Sequence, residues 1–242
     1  MEQDLISGLP KLAGNQSVNL HGWFRKALFV SAFVLSCGSA WILLPEICRF
    51  PSADFSTGQR PAETITAQQT YAHLAALIGY VRGDLWAEYL LTYPSAYQLH
   101  EKSNLPTGVS PPNEKVREIA ERALSFAPYD SRTWLALANF NSRFDWLNKR
   151  ASNDLRMSYY TGPNEIDLIP LRLALAVSFD DVSDEVFQEF VRHDIRLIVT
   201  RKPEQKYTIQ EAYRYALPEG RTVIENTLRE VDSTLLSKIK SN

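Results

Sequence analysis

The side chains best suited to proton transfer or metal ligation are four histidines, His21, His73, His100 and His193, and no two of them stand at helical or zinc spacing. Asp180-Asp181 with Asp184-Glu185 form the densest acidic group, the type of cluster that holds a divalent cation. Their spacing lacks the glycine and terminal glutamate of a calcium loop, and acids gathered at a helix start serve capping and the helix dipole. A phosphate-cradling P-loop, a GxGxxG turn, a GxSxG elbow and an HExxH helix are all missing. Two carboxylates roughly 5 to 10 Å apart, as glycoside hydrolysis needs, can come from distant parts of a chain, so that chemistry leaves no local motif. No catalytic residue, cofactor-binding residue or metal ligand is therefore assigned, and no cofactor is expected.

Arg192, Arg196, Arg201, Lys202 and Lys206, with His193 among them, make up the only basic cluster, suited to an acidic polysaccharide or a phospholipid headgroup. Asp194 and Glu204 interrupt it, as on an ordinary solvated helix face. The net charge of -2 supplies no field that would gather nucleic acid. Trp134, Phe140, Phe144, Trp146, Tyr159 and Tyr160 have the size and spacing of core residues, with a recognition groove as the functional alternative.

These residues need elements to carry them. Residues 27–44, ALFVSAFVLSCGSAWILL, contain no charge, and as a helix they rise roughly 27 Å, close to the thickness of the hydrocarbon core. Trp23 and Phe24 stand at one end and Trp41 near the other, where rings prefer the headgroup zone, and Pro45 is expected to end the helix. Arg25 and Lys26 beside the first end favour a cytoplasmic N-terminus and an exported remainder, which in a bacterium means an inner-membrane anchor with a periplasmic domain. Two alternatives export the same domain: cleavage after Ala40, in the small-residue run Gly38-Ser39-Ala40, and acylation of Cys37, since Val34-Leu35-Ser36-Cys37 resembles a lipobox. Ala32, Ser36 and Ala40 recur every fourth residue, a small-residue stripe through which two such helices could pack as a homodimer. The other cysteine, Cys48, lies just beyond, so the two allow neither a disulfide framework nor a zinc site of cysteines alone.

The expected organisation is a cytoplasmic segment at 1–26, a transmembrane helix at 27–44, a linker rich in Pro, Ser and Thr at 45–65 and a helical domain at 66–242. Tyr71, Leu74, Leu77 and Ile78 mark the apolar face of its first helix, and Gly83-Asp84 a turn into the second. A breaker-rich stretch follows to Pro112, then a helix from near Asn113 to Pro128 and another capped by Asp130 or Ser131. Further helices are expected at 146–160, 167–177 with Pro170 in the first turn, 183–200, 208–216 and 219–239. No strand-period segment competes, so the fold class is all-α.

Pro128 and Pro163 lie about one tetratricopeptide period apart, followed at equal offsets by Trp134 and Ile169. Ala120-Glu121-Arg122-Ala123-Leu124-Ser125-Phe126-Ala127-Pro128 and then Trp134-Leu135-Ala136-Leu137-Ala138 resemble the junction between two tetratricopeptide repeats, and Gly83-Asp84 with Ala87 and Glu88 resembles the turn inside one. Ala138 departs from the family's Gly, Asn141 from its Tyr, and the breakers at 93–112 interrupt the register. The C-terminal half, through Tyr159-Tyr160-Thr161-Gly162-Pro163-Asn164 and Ile169-Pro170-Leu171-Arg172-Leu173, is similar to small repeat proteins of bacterial envelope and exopolysaccharide gene clusters. The resemblance implies an α-solenoid that binds a protein partner: a membrane-anchored adaptor, not an enzyme, in exopolysaccharide assembly or export. The alternative is an envelope glycan-acting enzyme with carboxylates from separate helices.

Overall fold

The computed structural model of the protein describes residues 16–47, 62–93, 111–144 and 149–241. The described residues contain no strand, in keeping with the all-α expectation. The expected linker, the breaker-rich stretch, His100 and Trp146 lie wholly or largely outside them. Chain contacts divide the protein into two units, one ending at Ile47 and the other beginning at Cys48.

The first unit contributes one helix, α1 (Gln16–Ile47). Its part from Gly22 to Ile47, 26 residues that contain an 18-residue window of mean hydropathy 2.1, is long and apolar enough to cross a membrane. Phe29, Phe33, Leu35, Trp41 and Leu43 are all exposed, so the apolar surface runs right round the helix, as lipid-facing helices require. The helix does not stop before Pro45 but continues through it to Ile47. In a final turn proline removes one hydrogen bond near an end that is already poorly bonded, so the helix survives it.

The second unit is a succession of helices around two adjoining cores. Helices α2 (Ala62–Ile78), α3 (Gly83–Leu90), α4 (Pro111–Phe126) and α5 (Ser131–Phe144) surround the first. α3 lies at its centre, with Leu85, Trp86, Ala87, Tyr89 and Leu90 all buried between α2 and α4. The turn before α3 occupies residues 79–82, and Gly83 already belongs to the helix. A β-carbon there would lie 2.8 Å from the Ala127 nitrogen and 2.9 Å from the Ala123 carbonyl, so glycine is what lets α3 meet the end of α4. Pro128 stands between α4 and α5, and the Trp134 indole donates to its carbonyl at 2.8 Å.

The second core is centred on α7 (Ile169–Ala176), which is buried from Ile169 to Ala176 apart from Pro170, with that proline in the first turn. Around it pack α5, α6 (Arg150–Thr161), α8 (Glu185–Arg201), α9 (Lys206–Tyr215) and α10 (Pro218–Val231), while α11 (Ser233–Ser241) packs on α10. Short 3₁₀ turns at Ile166–Leu168, Asp180–Ser183 and Pro203–Gln205 join several of them. α5 serves both cores: Leu135 and Ala138 face the second, Ala136, Leu137 and Phe140 the first. The single helix expected at 219–239 is two, broken at Asp232, whose carboxylate accepts the Leu235 amide at 3.0 Å and the Thr234 hydroxyl at 2.6 Å and so caps α11.

Candidate functional site

The basic cluster spreads along α8 and into α9. Arg192 donates to Glu189 at 3.1 Å and to Gln188 at 2.8 Å, and Arg196 reaches Glu189 at 3.1 Å and Glu230 of α10 at 3.6 Å. Lys202 stands 3.8 Å from Glu204, and Lys206 binds Asp232 at 2.7 Å, while Arg201 is exposed at the end of α8. The structure thus gathers Arg192 and Arg196 on one acid and carries Lys206 away to another. Exposed pairs of this sort are worth little energetically and are screened by salt. Arg192 also lines a shallow cleft of about 260 Å³ between α8 and α10, with Ser183, Gln188, Glu219, Thr222, Val223 and Asn226.

Ala32, Ser36 and Ala40 stand on one exposed side of α1. Among the acids at 180–185, Asp184 holds Arg156 at 2.8 Å, and no group of three or more His, Cys, Asp or Glu among the described residues is placed to hold a metal ion. His73 stacks on Tyr89 with ring centroids 4.8 Å apart, and burial together with the nearby Lys115 charge lowers its pKa. Of the aromatic set, Phe140 and Tyr159 are core residues, whereas Tyr160 is exposed.

A concentration of polar chemistry missing from the sequence expectations lies inside the second core, where α5, α6, α7 and α8 meet. Arg172 of α7 is fully buried. Its Nε donates to the Ser158 hydroxyl at 3.0 Å, Nη2 to the Ser158 carbonyl at 2.6 Å and Nη1 to the Gly162 carbonyl at 2.8 Å. Ser158 and Gly162 belong to the last turn of α6 and its cap, so the guanidinium adds a charged donor to carbonyls that already accept the Gly162 and Glu165 amides, at the negative end of the helix dipole. The Ser158 hydroxyl donates onward to the Ser131 carbonyl at the start of α5, at 2.8 Å, and the Ser131 hydroxyl to Glu165 at 2.7 Å.

Tyr159 lies under the same guanidinium, its ring centroid 5.0 Å from Cζ, and donates its hydroxyl to Asp194 Oδ2 of α8 at 2.9 Å. The other carboxylate oxygen, Oδ1, is buried with no hydrogen-bond partner. Burial therefore pushes the Asp194 carboxyl up to about 7, against the opposing pull of Arg172 and Tyr159. Burial also lowers the pKa of Arg172 and raises that of Tyr159. Nearby, the Asn141 amide donates to Asp154 at 2.7 Å, and burial raises that carboxyl to about 6. The arrangement is a clasp: inside the second core Arg172 of α7 grips the end of α6, and Tyr159 of α6 reaches Asp194 of α8.

The pattern contained a signal for the clasp. Arg172 is the one charge in the apolar run from Ile169 to Val177, and Asp194 falls on the stripe of Phe187, Val191 and Ile198, at core positions of its own helix.

One more feature stands out on the surface. α2 turns its alanines inward, burying Ala72, Ala75 and Ala76, and its leucines outward: Leu74 is 45% exposed and Leu77 49%, and in the following turn Tyr80 is 46% and Val81 70% exposed. The face formed by Tyr71, Leu74 and Leu77 is thus not the one that packs on the core. The Arg122 guanidinium closes one end of it, donating to the Tyr80 hydroxyl at 2.8 Å and lying over the Tyr80 and Trp86 rings. No protein-family model, no curated protein and no solved structure matches the chain.

Proposed function

We propose that the chain is a single-pass protein of the bacterial inner membrane, with its N-terminus cytoplasmic and its helical unit periplasmic. There it acts as a non-catalytic adaptor that holds a protein partner in the cell envelope, in exopolysaccharide assembly or export. The observation that carries this reading is the stretch 28–44 of α1, free of charge and exposed throughout, joined in one chain to a helical unit with its own cores. Arg25 and Lys26 near the start of the apolar stretch support the orientation. The succession of helices α2 to α6, with Gly83 at a close helix approach and Pro128 between two helices, supports a tetratricopeptide-like stack. Tethering to a bilayer raises the effective concentration of partners in the same membrane, which is how such a module assists assembly without performing chemistry.

A phosphatase reporter that works only outside the cytoplasm, fused after Asn242, should be active in cells; activity of a cytoplasm-only reporter at the same place would reverse the orientation. Photocrosslinkers at Arg192, Arg196 and Arg201, and separately on α2, should trap a discrete envelope protein in intact cells. Absence of any specific adduct from all of these positions would count against an adaptor.

A further inference from the structure

We propose that the outward face of α2 and of the turn after it, centred on Leu74, Leu77, Tyr80 and Val81, is a membrane-docking surface that lies on the lipid bilayer and so lays the helical unit down against it. The inference rests on the anchored reading above.

The faces of α2 are inverted relative to burial in water. A helix folding onto a core in water gains most by burying leucine and tyrosine and exposing the smaller alanine. α2 does the opposite, so its outer face fits a second apolar environment. The chemistry of that face fits lipid. No charged side chain occurs between Glu63 and Arg82. Tyr80, with its amphipathic ring at one end of the leucine pair, belongs to the residue types that prefer the zone between headgroup and acyl chain. The Arg122 guanidinium lies over that ring and donates to its hydroxyl, which sets a cation at the rim of the face, where lipid phosphates would lie.

Chain connectivity supplies the occupant. Only residues 48–61 separate the end of α1 at Ile47 from the start of α2 at Ala62. Fourteen residues reach at most about 50 Å when fully extended. A helix tethered so close to its bilayer meets lipid at a high effective concentration, and a face of this kind enters the boundary by about 5 to 10 Å.

The test uses the full chain with Cys37 and Cys48 replaced by serine, reconstituted in phosphatidylcholine vesicles containing a minority of phosphatidylglycerol. An environment-sensitive fluorophore is attached through Leu35→Cys, Leu77→Cys or Glu211→Cys, and emission is compared with lipids carrying a nitroxide near the headgroup or deep in the acyl chain. The probe at Leu77 should lose most of its emission to the shallow nitroxide and little to the deep one, the probe at Leu35 should be quenched by the deep one, and the probe at Glu211 by neither. Quenching at Leu35 with none at Leu77 overturns the docking face while leaving the anchor intact. No quenching at Leu35 removes the anchor and the inference with it. Energy transfer between Leu77 probes of different copies without lipid quenching would assign the face to a second copy and also overturn it. In a fourth protein, Leu74→Glu with Leu77→Glu and the probe moved to Val81→Cys should lose the shallow quenching with an unchanged circular dichroism spectrum; retained quenching there contradicts the proposal.

Discussion

Burying a guanidinium in an apolar core costs several kcal/mol of desolvation, and Arg172 offsets that with three donated hydrogen bonds, the Tyr159 ring and the Asp194 charge. Arg172→Met takes a donor from the Ser158 and Gly162 carbonyls and the neighbouring cation from buried Asp194, and should cost roughly 3 to 5 kcal/mol in urea unfolding, in line with breaking other buried charge pairs. Adding Asp194→Asn should recover part of that loss, a coupling that a double-mutant cycle measures directly. The titration of Asp194 sets a pH dependence of definite sign. Its folded pKa lies above the ordinary carboxylate value, so the native state holds the proton more tightly than the unfolded chain. The resulting stabilisation is complete below about pH 4 and is lost as the pH rises towards about 7. The urea midpoint of Asp194→Asn should therefore change less between these two values than that of the unaltered protein. An equal change in both would remove Asp194 as the cause. This chemistry was hard to see in the sequence because charge is normally read as surface: Asp194 had counted as an interruption of a basic patch, when its spacing from Val191 and Ile198 placed it inside.

Helix ends show where sequence patterns were informative. Pro170 in a first turn, the proline between α4 and α5 and the placing of Leu197-Ile198-Val199-Thr200 in the last turns of α8, which ends at Arg201, all followed from local stereochemistry. The break at Asp232 did not stand out, because the apolar period continues from Leu228 through Leu235 and Ile239, and only the Asp-Ser-Thr at 232–234 announces a new cap. Asp232 also receives Lys206 from the start of α9, an interaction that with the cap holds its pKa well below the usual carboxylate range. Asp232→Ala should lower stability by about 1 kcal/mol, the usual scale for a lost cap, and should accelerate hydrogen exchange first in α11. Gly83→Ala sets a β-carbon against the Ala127 and Ala123 backbone and should cost about 1 to 3 kcal/mol by overpacking, whereas Gly38→Ala on α1, where nothing lies within 4 Å, should leave the unfolding midpoint unchanged. Equal effects of the two would mean that α3 and α4 do not need that approach.

At the scale of the whole molecule, hydropathy identified the apolar helix without any knowledge of contacts, and helical periodicity identified the all-α class. The periodicity of α2 nevertheless pointed to the wrong face. Tyr71, Leu74 and Leu77 outrank Ala72, Ala75 and Ala76 in hydrophobicity, and a pattern cannot say that a helix packs closely through its small residues and saves its large ones for another surface. The partners that Arg196 and Lys206 find in Glu230 and Asp232 are distant in sequence, so these pairings appear only on folding.

The position of α5, lending Leu135 and Ala138 to one core and Ala136, Leu137 and Phe140 to the other, bears on cooperativity. Neither core can melt without stripping a wall from its neighbour, so the helical unit should denature in a single calorimetric transition whose directly measured and van't Hoff enthalpies agree. The amides in the middle of α5 should then exchange only through global unfolding, and a force applied to one core would be felt in the other before either gives way.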